Sequence, residues 1–307
     1  MRVFECGRRT RELSAVALSA GGLLAAGGEY NGTLVWDATG GTKPRWLDDL
    51  GHRVSGLHFH PDSGLLLIAT LYHGLYVWNP ALDGPHLIPV HRETAGEAAV
   101  APDGRVLVSG GNRLTALDRV GGPDAAVAWS VPLNDEIGGN GWTRGLGSLP
   151  DGERFVSAEV LLGPGYVHRD NRVAVRSWAD GRVLAALGGL FRYGHHLHAS
   201  AAADVFVIRK EVWLRVYSAD DLKADPRVIR NDNRKHFTGA AFHPSGRYLA
   251  ATSNDATVKL YDTASWEVAR TFTWDIGRMR SICFSPDGTL AAAGSDTGKV
   301  VVWDVDV

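Results

Sequence analysis

The chain has 307 residues, of which 45% are hydrophobic and 21% charged, with a formal net charge of −2, the balance of an ordinary soluble globular protein. That near-neutral balance gives no basis for nucleic acid or a membrane as partner, and no run of about 18 uninterrupted apolar residues is present. Only two cysteines occur, Cys6 and Cys283, so no disulfide framework is expected, and a reducing, cytoplasmic setting is the simpler reading.

From the N-terminus, Arg2-Val3-Phe4-Glu5-Cys6 is a short strand with no hairpin partner of its own. Residues 8–28, RRTRELSAVALSAGGLLAAGG, place paired arginines before small and apolar residues, as an export signal does. The same stretch is also two apolar runs around a turn, in register with everything that follows, and is read as strand.

A two-part phrase then recurs along the chain. The turn phrases are AGG (20–22), HPDSG (60–64), APDG (101–104), LPDG (149–152), HPSG (243–246) and SPDG (285–288), and AAAD (201–204) keeps the position without the chemistry. Each is followed by an apolar run, a polar turn and a second apolar run that ends in a closing pair. Those pairs are Trp36-Asp37, Trp78-Asn79, Leu117-Asp118, Trp178-Ala179, Tyr217-Ser218, Tyr261-Asp262 and Trp303-Asp304. The distance from turn to closing aromatic is 17 residues in three units, 16 in two, 15 in one and 28 in the fourth. Successive closing pairs lie 44.5 residues apart on average, inside the window of about 40–45 residues for a four-stranded propeller blade.

Each half of the phrase has a physical reading. Pro presets φ, Asp bonds its own backbone and Gly accepts positive φ, so Pro-Asp-Gly reverses the chain tightly between the first and second strands of a unit. The runs LVW, LYVW, VKLY and VVVW are apolar on consecutive positions, which marks strands covered on both faces.

The phrases FSPDG, GSDTGKVVVWD and TSNDATVKLYD and the dipeptide Gly51-His52 resemble the WD-repeat family over the whole chain. That resemblance implies an all-β fold: a seven-bladed β-propeller of four-stranded antiparallel blades, a single domain over 1–307. It further implies ring closure by the N-terminal strand joining the last blade, which removes an exposed sheet edge. In the family a turn Asp joins a hydrogen-bonded set with the His of Gly-His, a Ser or Thr, and the Trp. No blade here has the whole set, since His52 lacks a matching Asp and Asp296 a matching His, so blade stability is expected to lean on packing.

Two His-x-His pairs, His58/His60 and His196/His198, sit in expected first strands, where spacing two puts both rings on one face. That begins a metal site, but the pairs belong to nearly opposite blades and no carboxylate or Cys cluster accompanies them. The reading is therefore polar inner-strand residues, with no metal and no cofactor. No nucleophile elbow or phosphate-cradling glycine loop appears, so no catalytic residue is assigned.

The excess of the fourth unit falls near VPLNDEIGGNGW (131–142), entering its blade, and at LLGPGYVHRDN (161–171), its second-to-third hairpin. Both connections belong to one rim. Positions at the start of each blade and at the neighbouring hairpin tips supply Arg53, Tyr72, Trp142, Tyr166, His168, Arg169, Tyr193, Lys210, His236 and Arg278, residue types enriched in interface hot spots. The function expected is a non-catalytic, monomeric scaffold that docks a protein or peptide over this rim. The alternative is a propeller enzyme or metal-binding protein with its site in the central channel.

Overall fold

The structure is a computed structural model describing residues 1–7, 12–28, 32–40, 43–47, 53–71, 73–82, 87–91, 95–120, 125–133, 141–162, 169–189 and 196–305. It is built of seven four-stranded sheets, each antiparallel and in simple chain order except the last, and the described residues contain no helix. Blades one to seven begin with the first strands Ala15–Leu18, Val54–Phe59, Ala95–Val100, Gly141–Ser148, His196–Ala199, Phe237–Phe242 and Met279–Phe284. These line the centre of the ring.

The last sheet pairs its third strand, Lys299–Asp304, with the N-terminal strand Arg2–Glu5, in the register Arg2 to Val302 and Glu5 to Lys299. Phe4 then packs its ring 5.9 Å from that of Trp36 in blade one, and Arg2 Nη1 donates to the Ala38 carbonyl at 2.9 Å. The closing strand therefore ties blade seven to blade one as well as completing its own sheet.

Every turn phrase lies between a first and a second strand. Asp151 Oδ1 accepts from the amides of Glu153 and Arg154, both at 2.9 Å, and Asp287 Oδ1 from that of Thr289 at 3.0 Å. In the degenerate AAAD turn the preceding Ser200 takes over, its Oγ accepting from the Ala202 and Ala203 amides at 3.2 and 3.1 Å. The closing acids start the next turn: Asp37 Oδ1 accepts from the Thr39 amide at 2.8 Å and Asp262 Oδ1 from that of Ala264 at 2.9 Å. The side-chain hydroxyl and amide of Thr39 hold the Asp37 carboxyl below its ordinary pKa, as the amides of Ala264 and Ser265 do for Asp262.

The core consists of seven layers, each between neighbouring blades. Alternation along a strand decides which layer a residue joins: Leu34 and Trp36 face blade seven, whereas Val35 between them faces blade two. Consecutive apolar residues are therefore required, since both faces of every middle strand are covered.

Blade four departs most. Its second and third strands, Arg154–Leu162 and Arg169–Ser177, pair over nine residues, against five for Leu66–Thr70 with Gly74–Trp78 in blade two. The 161–171 insertion thus extends the hairpin as expected, while 134–140 and 163–168 fall outside the described residues. The middle of this taller hairpin holds Glu159, fully buried. Its Oε1 accepts from Arg176 Nε at 2.7 Å and Ser157 Oγ at 2.6 Å, and its Oε2 from Arg172 Nε at 2.8 Å. In blade six, Asn231 Nδ2 donates to Ser253 Oγ, and Lys259 Nζ to Asn231 Oδ1, both at 2.9 Å. In these two blades side chains other than those of the family's set satisfy one another, beside the packing. Among the described residues the indole N–H groups of Trp178 and Trp303 and the Tyr261 hydroxyl find no hydrogen-bond partner, which is what losing that set entails.

Candidate channel and rim site

Five of the seven first strands carry a β-bulge at the same height. The residues it leaves unpaired are Ser55, Gly96, Arg144 with Gly145, Thr238 and Arg280. A bulge re-aims a side chain out of the pleat; all of these residues line one central cavity of about 1410 Å³. Gly145 is required where it stands: at φ +146° an added Cβ would meet the Leu197 carbonyl oxygen of blade five at 2.6 Å.

At and near the bulge, first strands are stitched to their neighbours. Ser14 Oγ donates to the Val54 carbonyl at 2.6 Å, Thr238 Oγ1 to Met279 at 2.7 Å and Ser281 Oγ to Leu13 at 2.8 Å. Such links fix the channel walls as one frame.

Arg53, Trp142 and His236 open on one mouth of this cavity, together with Glu12 and Asn254. Arg53 and His236 are exposed. Trp142 is half-buried, its ring packed on the core between blades four and five, so it is not a free-standing anchor. Arg278 is exposed and its backbone is fixed by Asp296, whose Oδ1 accepts the Arg278 amide at 2.9 Å. Lys210, half-buried, ends the second strand of blade five, and Arg169 begins the third strand of blade four opposite Leu162. Neither Lys210 nor Arg278 lines the cavity. Tyr72, Tyr166, His168 and Tyr193 lie outside the described residues.

The His-x-His pairs separate. His60 falls in the turn after its strand, and its Nε2 lies 2.7 Å from the Gly104 carbonyl oxygen of blade three. His243 repeats this with Gly288 of blade seven at 3.0 Å, so both are blade-to-blade links on the turn side. His58, His196 and His198 face the channel instead. Burial lowers their pKa values to about 4, about 2 and about 3, and Arg209 lowers the last two further. That arginine beside His196 and His198 opposes a cation there, and no group of three His, Cys, Asp or Glu able to hold a metal occurs among the described residues.

Deeper in the channel lie charges not singled out by the repeat pattern: Glu97, Arg144 and Arg280, each the one charged residue of its first strand, and Arg209 of a second strand. Burial raises the Glu97 pKa to about 7, against the opposing pull of Arg144, Arg209 and Arg53. Burial likewise pulls Arg209 down to about 10.

Sequence comparison agrees with this architecture. The family described as WD domain, G-beta repeat matches residues 230–262 and 267–304. Those two segments are WD repeats, and the chain as a whole resembles the WD-repeat family. It is 25% identical over 282 residues to protein hir1 of Schizosaccharomyces pombe, covering 83% of this chain and 26% of that protein. To the guanine nucleotide-binding protein subunit beta of Zea mays it is 23% identical over 286 residues, 85% of this chain and 70% of the subunit. A WD repeat-containing protein of Synechocystis is 24% identical over 175 residues, 54% of this chain and 45% of its own length. The chain thus spans about a quarter of the first relative and less than half of the third. WD-repeat propellers are in general scaffolds for protein interaction, and here blades six and seven carry the family pattern most plainly.

This WD-repeat channel also makes a pH prediction. A histidine with a depressed pKa stays neutral in the fold while the unfolded chain takes up a proton below about pH 6.5, so its contribution to stability is present above that pH and lost as pH falls. Glu97 runs the other way, its contribution being lost as pH rises through about 7. Three histidines outweigh one carboxyl, so the melting temperature should fall between pH 6.5 and 5. His198→Gln should flatten that dependence by up to about 1.4 kcal/mol per pH unit, read from denaturant midpoints at the two pH values. An unchanged slope would refute neutral burial of His198.

Proposed function

We propose that this propeller is a non-catalytic platform that holds an acidic segment of a protein partner across the channel mouth. The observation that carries it is the convergence of Arg53, His236 and half-buried Trp142 on one opening, with exposed Arg278 on the same rim. Arginine and tryptophan at a partly desolvated mouth combine contact area with directed donors, the make-up of interface hot spots. The stitched first strands supply a rigid frame, so little ordering cost falls on the propeller side. A cytoplasmic location belongs to the same proposal; it is supported by two thiols that are both free.

The test is quantitative capture of partners, followed by titration of the recovered peptide against wild type, Arg53→Ala and Arg278→Ala. Each substitution should weaken binding by about tenfold, with the melting temperature unchanged within about 1 °C. Trp142→Ala serves as a contrast: it should weaken binding and also lower stability by about 2 kcal/mol or more, because its ring packs on the core. Undiminished binding by the two arginine variants would remove the proposal.

A further inference from the structure

Behind the mouth, the channel holds a cluster of charge of which docking at the rim uses only Arg53. We infer that this inner channel binds a small dianionic oxyanion, the phosphate group of a low-molecular-weight ester being the class that fits. Four arginines line the cavity or its mouth: Arg53 of blade two, Arg144 of blade four, Arg209 of blade five and Arg280 of blade seven. Among the described residues the acidic groups of the lining are Glu97 and Glu12, and Glu12 is drawn towards Arg280 at 3.6 Å. Arg53, Arg144 and Arg209 line the same cavity as Glu97 and His196, and each bears on the pKa of both, so cations from three blades share one space.

That region also presents unused polar atoms. Arg209 spends Nη1 on the Phe237 carbonyl at 2.9 Å, while its Nε is buried without a partner among the described residues; the same holds for His198 Nε2 and for Arg280 Nε. Buried donors without acceptors are costly and uncommon in a folded interior. An oxyanion in the channel would accept from Arg209, and from His198 in the tautomer that carries its proton on Nε2. Donors that approach from several blades surround a ligand instead of meeting it edge-on, which suits a tetrahedral anion better than a planar carboxylate, and the arginine fork is the side chain adapted to phosphate.

Glu97 is the built-in competitor. Its amide is held by Ser109 Oγ at 3.1 Å beside the blade-three bulge, which keeps its carboxyl among the arginines. While ionised it occupies their field, and when protonated it releases them. Anion affinity should therefore rise as pH falls from 8 to 6, a range in which His196 and His198 stay neutral.

The experiment uses the whole chain and inorganic sulfate, whose charge is fixed over this range, with inorganic phosphate in parallel and ionic strength held constant with chloride. Calorimetry and thermal shift should show saturable binding of both, about tenfold tighter at pH 6 than at pH 8 for sulfate. Glu97→Gln should bind sulfate at pH 8 as tightly as wild type does at pH 6 and lose the pH dependence. Arg144→Met and Arg209→Met should lose binding, whereas Arg278→Ala, on the outer rim, should keep it. Should Arg209→Met fail to fold, Arg144→Met and Glu97→Gln decide alone. No saturable sulfate binding to wild type or Glu97→Gln, or equal binding by Arg144→Met, would overturn the inference. Acetate binding as strongly as sulfate would overturn the tetrahedral assignment. Because Arg278→Ala is expected to weaken binding of the protein partner about tenfold and to keep the anion, the two sites fail or survive separately.

Discussion

Replacing Glu159 with Ala should cost about 3–5 kcal/mol and lower the melting temperature by on the order of 10 °C, the largest loss expected from a single polar substitution in this protein. The reason is what remains behind. Arg176 is only 3% exposed and would keep Nη1 on the Gly181 carbonyl at 2.7 Å, but its Nε would face neither water nor a carboxylate. Arg172, with Nη2 at 3.3 Å from the Leu133 carbonyl, would lose its other anchor, and Ser157 Oγ would lose an acceptor at 2.6 Å. Glu159→Gln should fall between, since an amide oxygen still accepts one arginine while the charge is gone. A buried ion cluster is weak support for stability in itself, because desolvation offsets most of the attraction. The double variant Glu159→Met, Arg176→Met should therefore recover much of what Glu159→Ala loses. Denaturant unfolding of the three variants measures this, and a Glu159→Ala protein as stable as wild type would show that the three side chains do not act as one unit.

That cluster also marks where sequence reasoning stops. The turn phrases and closing aromatics were legible because backbone geometry demands them: only a few residue types reverse a chain in four positions, and only large apolar ones fill a layer between blades. Even the degenerate AAAD turn kept its place, because Ser200 supplies the acceptor that the missing Asp would have given. Blade four was visible as a length anomaly. Its content was not, since Glu159 and Arg176 in RFVSAEVLL and RVAVRS look like ordinary solvent-facing charges until the longer hairpin is seen to bury them against each other.

The candidate site divides in the same way. Arg53, His236 and Arg278 could be found by counting from the turns, since the register fixes the start of each first strand. Arg144 and Arg280 could not, because a bulge changes which face a residue takes and leaves no mark in strand alternation. Arg144 and Arg280 are read correctly only once the pairing skips at Thr143 and Met279 are known. A single charge inside an otherwise apolar first strand is the available signal, and Glu97 in AGEAAV and Arg144 in GWTRGLGS both show it.

Deleting residues 1–6 should have the second large effect, because the ring depends on a strand that comes from the far end of the chain. The deletion removes four paired positions on Lys299–Asp304, the Phe4 ring from Trp36, and buried Cys6, whose amide donates to the Gly298 carbonyl at 2.9 Å. It uncovers Val300 and Val302, which sit in the layer between blades seven and one, and turns the last strand into a bare edge that pairs readily with other chains. The expected result is a loss of about 5 kcal/mol or more, a large share of what a folded protein has in total, together with concentration-dependent association seen by light scattering. The register allows a sharper test. Arg2 opposes Val302 and the strands run antiparallel, so the same segment joined after Val305 through a short turn can reach the same partners as a hairpin. Adding RVFEC there to the shortened chain should restore most of the lost melting temperature and the monomeric state. A scrambled segment of equal length should restore neither. If the shortened protein instead melts like wild type, closure by the N-terminal strand contributes nothing, and the frame holding both the mouth and the inner channel must be maintained by the blade-to-blade layers alone.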